Sequence, residues 1–342
     1  MNNINSWNDY LASAGAPVLT TSDLARGFVA VVTGQDIIAV TGEEAASFLH
    51  GQLTNDVEHL GNAEARLAGY CTPKGRLLAS FVMWRNAESV FLQLPSELRA
   101  ALQKRLSMFV LRAKARLSDV SADTANAVLL GLGGENANAA LEPLLGTLPA
   151  APYTRVDHAL GTVIRLADAF GSPRYHWLTS EETAREVLPS LRSTLALGGN
   201  DAWRLSEIHA GIPQITLKTQ EQFVPQMINY ELLGGVNFKK GCYPGQEIVA
   251  RSQYLGKLKR RTALATIDGA EAAAGDEVFD VADPDQPCGM IVNAAPNGEG
   301  GVDALVELKL ASLEQGDIRL GSAGGAPLRF KPMPYALDAL EL

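Results

Sequence analysis

Cysteine is scarce in this chain, and its scarcity excludes two kinds of protein. Of 342 residues only three are cysteines, Cys71, Cys242 and Cys288. An odd number of widely separated cysteines does not form a disulfide framework, and no CxxC pair indicates a zinc site. The cysteine content therefore indicates a reducing compartment, and we expect a cytoplasmic protein without a metal centre.

Long apolar runs and a targeting signal are also absent. No segment reaches the roughly 18 apolar residues that a membrane span requires. The first residues, MNNINSWNDYLASAG, contain neither the basic region nor the apolar region of a signal peptide. We therefore expect no membrane association.

Familiar catalytic and nucleotide-binding motifs are missing too. The sequence contains no P-loop, no GxGxxG and no pair of histidines at metal-ligand spacing. The net charge is −9, from 29 basic and 38 acidic residues, which does not suit the chain as a whole to nucleic acid. Any RNA contact must come from a local patch, and we expect direct RNA binding to be weak or absent.

The order of apolar runs and turn residues predicts an α+β protein. Residues 28–40 form two strands around Gly34, and the runs ARLAGYC and LLASFVMWR are joined by the turn TPKGR. From Lys257 onward, short apolar runs recur about every ten residues between turn residues, as in a small antiparallel β-barrel. We predict a module over residues 1–255, with a crossover at about 118–161, and a barrel over 256–342.

Helix starts are predicted from capping residues. Thr41 with Glu44 and Thr179 with Glu182 have the spacing of a capping box. Asn200 precedes the helical stretch DAWRLSEIHA, which Gly211 and Pro213 follow.

The stretch KKGCYPGQE, residues 239–247, has the character of a reactive or anion-binding turn. Pro244 suits the first position of a helix, which places Cys242 and Tyr243 at its N-terminus. Free N–H groups there, together with Lys239 and Lys240, favour a thiolate or a bound anion. The alternative is that Cys242 is only a small turn residue before a capped helix.

Two further features allow a structural or a functional interpretation. Residues 239–261 contain seven basic residues and one acid, which indicates either a solvated face or a surface for carboxylates, phosphates or RNA. Trp203 lies in a helical stretch, where a tryptophan either packs in the core or stacks on a ligand.

Several blocks of the sequence resemble the YgfZ family of folate-binding proteins, which is related to the aminomethyltransferase (T-protein) of the glycine cleavage system. The main block is FVPQMINYELLGGVNFKKGCYPGQEIVAR, residues 223–251, which contains the signature KGCYPGQE. HGQLTNDV (50–57), the turn TPKG (72–75) and PMPYAL (332–337) match in the same order. The resemblance therefore covers nearly the whole chain.

The resemblance implies a fold, a cofactor and a role. It implies a T-protein-like folate-binding module of two intertwined subdomains, with the barrel completing a ring around a central opening for tetrahydrofolate or a derivative. It also implies an accessory role in iron–sulfur cluster assembly or repair and, through iron–sulfur enzymes, in tRNA thiolation. Iron–sulfur enzymes or assembly proteins would then be its partners.

The same resemblance assigns candidate site residues. Cys242 matches the family cysteine, a possible reactive thiol, and Lys240 lies beside it. The residues implied at the folate site are Trp203, His209, Tyr243, Gln246, Glu247 and Arg251. His209 stands where the family has a glutamate, and Gln35 falls near the place of a second folate-linked tryptophan.

One departure from the T-protein pattern bears on activity. The T-protein has two aspartates after the TPKG turn, whereas this sequence has Ala79 and Ser80, neither of which can act as a carboxylate base. We therefore expect a binding protein without aminomethyltransferase activity. The alternative is a folate-dependent one-carbon transferase with an unknown substrate, for which Glu207, His209 or Glu247 would supply the base.

Overall fold

The computed structural model describes residues 3–121, 128–254 and 258–337. The helices in chain order are α1 (Asn3–Ser13), α2 (Thr21–Arg26), α3 (Ala45–His50), α4 (Ser96–Val110), α5 (Ala137–Leu145), α6 (Glu181–Leu191), α7 (Asn200–His209), α8 (Gln246–Tyr254) and α9 (Leu310–Gln315). Within the described ranges, no helix is long and apolar enough to cross a membrane.

The strands make up three sheets. In chain order they are β1 (Phe28–Val32), β2 (Gln35–Thr41), β3 (Ala65–Cys71), β4 (Leu77–Arg85), β5 (Ser89–Pro95), β6 (Arg116–Asp119), β7 (Val128–Gly133), β8 (Arg155–His158), β9 (Gly161–Ala169), β10 (Ser172–Thr179), β11 (Ala196–Gly198), β12 (Arg260–Asp268), β13 (Glu277–Asp280), β14 (Asp283–Pro296), β15 (Gly301–Lys309), β16 (Ile318–Leu320) and β17 (Leu328–Lys331).

The first sheet has six strands in the order β11-β1-β7-β10-β9-β8. Only the β1–β11 pairing is parallel; the others are antiparallel. Every residue of β1 and β7 is buried, since helices cover both faces of the sheet. Burial on both faces explains why these strands are continuous apolar runs without alternation.

The second sheet is antiparallel, in the order β3-β4-β5-β2-β6. Its strands lie in sequence between β1 and β7 of the first sheet, so the two units are intertwined, as predicted. The chain passes from one sheet to the other between Asp119 and Val128. The predicted crossover, 118–161, also contains β7, α5 and β8, and its bounds stay a prediction.

The third sheet is antiparallel, in the order β16-β13-β14-β15-β12-β17. It curls into a half-barrel, and a single bridge between Arg319 and Pro327 connects its two edges. The predicted C-terminal antiparallel architecture is confirmed, in this partly open form. The predicted boundary at residue 255 lies outside the described residues, which resume at 258.

The predicted helix caps are wrong in detail. Thr41 stays extended because it pairs with Ser89 and Arg116, and α3 begins only at Ala45. Thr179 ends β10, and Ser180 caps α6 instead by accepting a hydrogen bond from the backbone N–H of Thr183. The strand partners of Thr41 are distant in sequence, and the cap of α6 is the residue after Thr179. The spacing of capping residues alone reveals neither.

Two other predicted starts are displaced for similar reasons. The Asn200 side chain accepts hydrogen bonds from the backbone N–H groups of Thr33 and Gly34, so it anchors the β1–β2 turn and does not cap its own helix. Gly245 adopts a φ of 82° where its backbone passes close to the TPKG turn. Helix α8 therefore starts at Gln246, after Pro244.

Helix α7 packs on the first sheet through Trp203. A Cβ built on Gly131 of β7 would lie 2.2 Å from the Trp203 ring, so only glycine permits this approach. The indole also contacts His176 of β10, with ring centroids 4.5 Å apart. Trp203 is 2% exposed, and its position fixes the side of α7 that faces away from the sheet.

Buried polar contacts attach the third sheet to the rest of the chain. Arg261 of β12 forms an ion pair with Glu231, and both side chains are buried. Asn229, also fully buried, donates to the carbonyl oxygen of Thr262 at 2.8 Å. Leu264, Val292 and Leu305 of this sheet join the same apolar cluster as residues of the other two sheets.

We predict that Gly131→Ala destabilises the protein by about 1–3 kcal/mol, because the added methyl group has no space beside the rigid indole. Urea unfolding followed by tryptophan emission measures this change. Gly324→Ala is the matched control, since a Cβ there meets no atom within 4 Å. Equal stabilities of the two variants would show that the close approach is not a constraint.

Candidate functional site

A cavity of about 710 Å³ lies where the three sheets meet. Its walls come from the β1–β2 turn, the start of α4, one side of α7, residues 214–218 and the β14 strand of the half-barrel. A volume of this size accommodates a small-molecule ligand. The cavity therefore marks the candidate ligand site.

Trp203 has a place both in the core and in the cavity wall. It packs in the core, with Arg174 stacked over its ring at 4.8 Å, and it also lines the cavity. Arg174 is itself buried and donates to the Ser206 hydroxyl and the Ala167 carbonyl oxygen. The indole is thus a rigid wall, held on one side by the sheet.

Glu207, one turn after Trp203, provides an acid in the cavity wall. Burial raises the pKa of Glu207 to about 7, and attraction to Arg174 and Arg204 offsets only part of that rise. Its carboxyl group can therefore exchange a proton near neutral pH. The family resemblance places its glutamate at the position of His209, two residues later. Glu207 is predicted only as a candidate base of the alternative transferase.

His209 does not line this cavity. Its Nε2 lies 2.6 Å from Asp303 of β15, and its ring stacks on Phe170 at 4.6 Å. Burial alone would raise the pKa of Asp303, but hydrogen bonds involving His209, Thr266 and Asn297 hold it well below the usual range. His209 therefore joins α7 to the half-barrel, and its role at a folate site stays a prediction.

Gln35, near the expected place of a second tryptophan, does line the cavity. Its amide nitrogen donates to Gln214 Oε1 at 2.9 Å, while its own Oε1 is buried without a hydrogen-bond partner. An acceptor that is buried without a partner implies that something else supplies the donor.

A smaller inner cavity of about 20 Å³ shares Gln35, Glu207 and Gln214 with the larger one. Ser80 lines it, where the T-protein pattern has an acid, and its Oγ accepts from the backbone N–H of Ile215 at 2.9 Å. Ala79 is fully buried. Three of its lining residues, Gln35, Gln93 and His176, carry buried polar atoms without a hydrogen-bond partner among the described residues.

The signature loop, residues 239–245, lies against the HGQLTNDV segment. Lys240 Nζ donates to the carbonyl oxygens of His50 and Leu53, near the end of α3, and lies 4.8 Å from the Tyr243 ring centroid. Burial lowers the pKa of Lys240 to about 8, although Asp56 and Cys242 oppose this. Lys240 therefore fixes the loop and carries an amine that deprotonates within reach of physiological pH.

Cys242 is exposed, whereas Cys71 and Cys288 are buried. Tyr243 is buried against the loop, and Glu247 and Arg251 are exposed on α8. None of Lys240, Cys242, Tyr243, Gln246, Glu247 and Arg251 lines the large cavity. Of the residues predicted to contact folate, the structure brings only Trp203 to that cavity, and a folate-binding role of the others stays a prediction.

The basic residues of 239–261 do not form one charged face. Arg261 is buried with Glu231, and Arg260 pairs with Glu307 of β15. Lys239, Arg251 and Lys259 are exposed, and Lys257 lies outside the described residues. Because these two arginines pair with glutamates, the segment has less free charge than the sequence count indicates.

Metal chemistry has no obvious site in the described part of the chain. Among residues 3–121, 128–254 and 258–337, no group of three or more His, Cys, Asp or Glu side chains is arranged to hold a metal ion.

The chain is similar to curated proteins over most of its length. The tRNA-modifying protein YgfZ of Klebsiella pneumoniae (strain 342) is 30% identical over 308 residues, covering 88% of this chain and 91% of that protein. YgfZ of Photorhabdus laumondii is 31% identical over 306 residues, covering 88% and 90%. YgfZ of Yersinia enterocolitica is 28% identical over 329 residues, covering 95% and 97%. No model of a known protein family matches the chain.

Among solved structures, the glycine cleavage system aminomethyltransferase T from Bartonella henselae superposes with a TM-score of 0.76. The alignment covers 97% of each chain at 17% sequence identity. The likeness shows a shared fold, which confirms the predicted T-protein-like architecture.

We predict that Glu207→Gln stabilises the protein at pH 8 by about 2–4 kcal/mol but not at pH 4. The raised pKa of Glu207 favours folding while the carboxyl is protonated, below its unfolded pKa of about 4.3. This contribution is lost as pH rises through about 7, whereas a glutamine stays neutral. Urea unfolding at both pH values, with exposed Glu88→Gln as control, measures the difference; a destabilised variant at pH 8 would contradict it.

Proposed function

Since this chain belongs to the YgfZ family of tRNA-modifying proteins, we propose that it is a folate-binding accessory protein that supports iron–sulfur enzymes. Its ligand would be tetrahydrofolate or a derivative. Its effect on tRNA would be indirect, through iron–sulfur enzymes that thiolate tRNA.

The large cavity with its polar inner end is the observation that carries this proposal. Trp203 offers a rigid aromatic wall, and beside it lie the half-buried carboxyl group of Glu207 and the buried Oε1 of Gln35, both of which can accept hydrogen bonds. A pterin head is flat and carries amino and ring N–H donors, which a carboxylate can accept. Bound tetrahydrofolate would supply a carrier for one-carbon units. Trp203, Glu207 and Gln35 would bind and orient it.

Cys242 would act outside the cavity. The exposed thiol lies in a loop that Lys240 fixes to the end of α3, so it is presented to a partner protein while the ligand is enclosed elsewhere. Such a thiolate can attack the outer sulfur of a partner's persulfide. Cys242 then carries that sulfur as its own persulfide and the partner's cysteine leaves as a thiolate, so no external oxidant is needed. Resident cluster binding does not fit, because a stable cluster needs several thiolates and the other two cysteines are buried.

A one-carbon transferase is the second candidate, and Glu207 is the observation that favours it. A carboxyl group with a pKa of about 7 inside a ligand cavity is suited to proton transfer near neutral pH. The other two candidate bases are less suitable, since His209 is engaged by Asp303 and Glu247 is exposed on α8. Turnover of a one-carbon folate by the pure protein, lost in Glu207→Gln, would favour this candidate.

Direct RNA binding has less support. Only part of the basic segment 239–261 is free, and the net charge is −9. We expect weak affinity for tRNA even at low salt; a strong interaction with a steep salt dependence would reverse this expectation.

We predict that titration with tetrahydrofolate quenches tryptophan fluorescence and saturates. Trp203→Phe should remove most of the quenching, because this indole lines the cavity. Trp84→Phe is the matched control, since Trp84 is buried against Phe91 away from the cavity. Absence of saturable binding by the unaltered protein would refute the folate proposal.

We predict that Cys242→Ala lowers tRNA thiolation severalfold in cells while leaving tetrahydrofolate affinity within about twofold, because the thiol is not part of the cavity wall. Mass spectrometry of tRNA nucleosides and the fluorescence titration measure the two effects. Cys288→Ala, at a buried cysteine, is the control. Normal thiolation in the Cys242→Ala strain would contradict a role for the exposed thiol.

A further inference from the structure

Four side-chain polar atoms at the inner end of the cavity are buried and have no hydrogen-bond partner among the residues that the structure describes. They are the Oε1 atoms of Gln35 and Gln93 and both ring nitrogens of His176. All three residues line the inner cavity. Leaving a buried polar atom unpaired costs about 1–3 kcal/mol, so such a concentration requires an explanation.

His176 is the member of this group with the greatest unmet capacity. It lies on β10 between Gly131 of β7 and Ile164 of β9, and it is 1% exposed. Burial, with a smaller effect of Arg174, lowers the pKa of His176 to about 3. The ring is therefore neutral at physiological pH, with one nitrogen as donor and the other as acceptor.

The surrounding contacts fix the ring without satisfying it. Its centroid lies 4.5 Å from that of Trp203, and the two planes are inclined by 39°. The indole is held in turn by Gly131 and Arg174. The imidazole is therefore held in place by packing, with its nitrogens left for something inside the cavity.

We propose that His176 is a specificity-determining residue of the cavity, which recognises the polar edge of a flat heteroaromatic ligand directly or through one water molecule. This inference rests on the proposed folate function and names the residue that reads the ligand. The inner cavity, at about 20 Å³, has room for a single water. A larger group must therefore remain in the outer cavity and reach His176 with its edge.

The neighbouring groups define the chemistry of that edge. Gln35 uses its amide nitrogen on Gln214, so it has an acceptor left, and Gln93 has another. The ligand must bring donors for these oxygens and a complementary donor or acceptor for the neutral imidazole. A ring bearing amino and ring N–H groups meets this requirement, whereas a purely apolar ligand leaves every one of these atoms unpaired.

The test compares His176→Phe with the unaltered protein. Phenylalanine keeps the aromatic contact with Trp203 but removes both nitrogens, so stability should be unchanged or higher, because unpaired buried groups are removed. Tetrahydrofolate affinity should fall at least tenfold in the fluorescence titration. His158→Phe is the matched control: its Nε2 is also buried without a partner, but His158 lines neither cavity, so affinity should not change.

A rescue variant separates recognition from packing. His176→Gln keeps a donor and an acceptor, so its affinity should lie between those of the unaltered protein and His176→Phe. If the phenylalanine variant does not fold, His176→Met provides the same loss of polarity on a flexible side chain. Equal affinities for the apolar and glutamine variants would overturn the assignment.

The two proposals fail in different ways. If the unaltered protein binds tetrahydrofolate and the apolar variant binds it within twofold, His176 does not read the ligand and the folate function stands. If the unaltered protein shows no saturable binding, the folate function fails, and the role of His176 fails with it. Lower stability together with unchanged affinity would show that His176 serves only the fold.

Discussion

The contact between Trp203 and Gly131 determines where the rest of the site lies. Because Gly131 has no side chain, the indole settles directly on the first sheet and holds α7 at close range. The same helix then presents Glu207 to the cavity and carries His209 to Asp303 of the half-barrel. The close approach of Trp203 to Gly131 thus positions a wall of the cavity, the carboxyl group of Glu207 and the contact between α7 and the half-barrel.

The candidate site is divided between two places. The cavity is lined by residues from all three sheets, and its inner end gathers polar groups around His176. The signature loop lies apart, fixed by Lys240 to the end of α3, with Cys242 exposed. The proposed function uses this separation, with a small ligand in the cavity and the thiol offered to a partner protein.

Local patterns predicted the elements well and their ends less well. The turn TPKGR and the apolar runs on either side of it predicted β3 and β4 with their observed bounds, since turn chemistry and burial act within a few residues. Thr41, Thr179 and Asn200 were assigned to caps, but their side chains or backbones pair with strands and turns elsewhere. His176 and Gln93 gave no signal, because a polar residue inside an apolar strand pattern does not reveal which cavity it will reach.

The sequence by itself determined the α+β class, the curled C-terminal sheet and the family, because these follow from periodicity, turn residues and the order of matching blocks. It also singled out Trp203 and Cys242 as candidate site residues. Only the tertiary structure decided that these two residues belong to different places, that Glu207 and not His209 lines the cavity, and that Arg260 and Arg261 are neutralised by partners. Those outcomes depend on contacts between residues far apart in the chain, and no local pattern encodes which distant groups will meet.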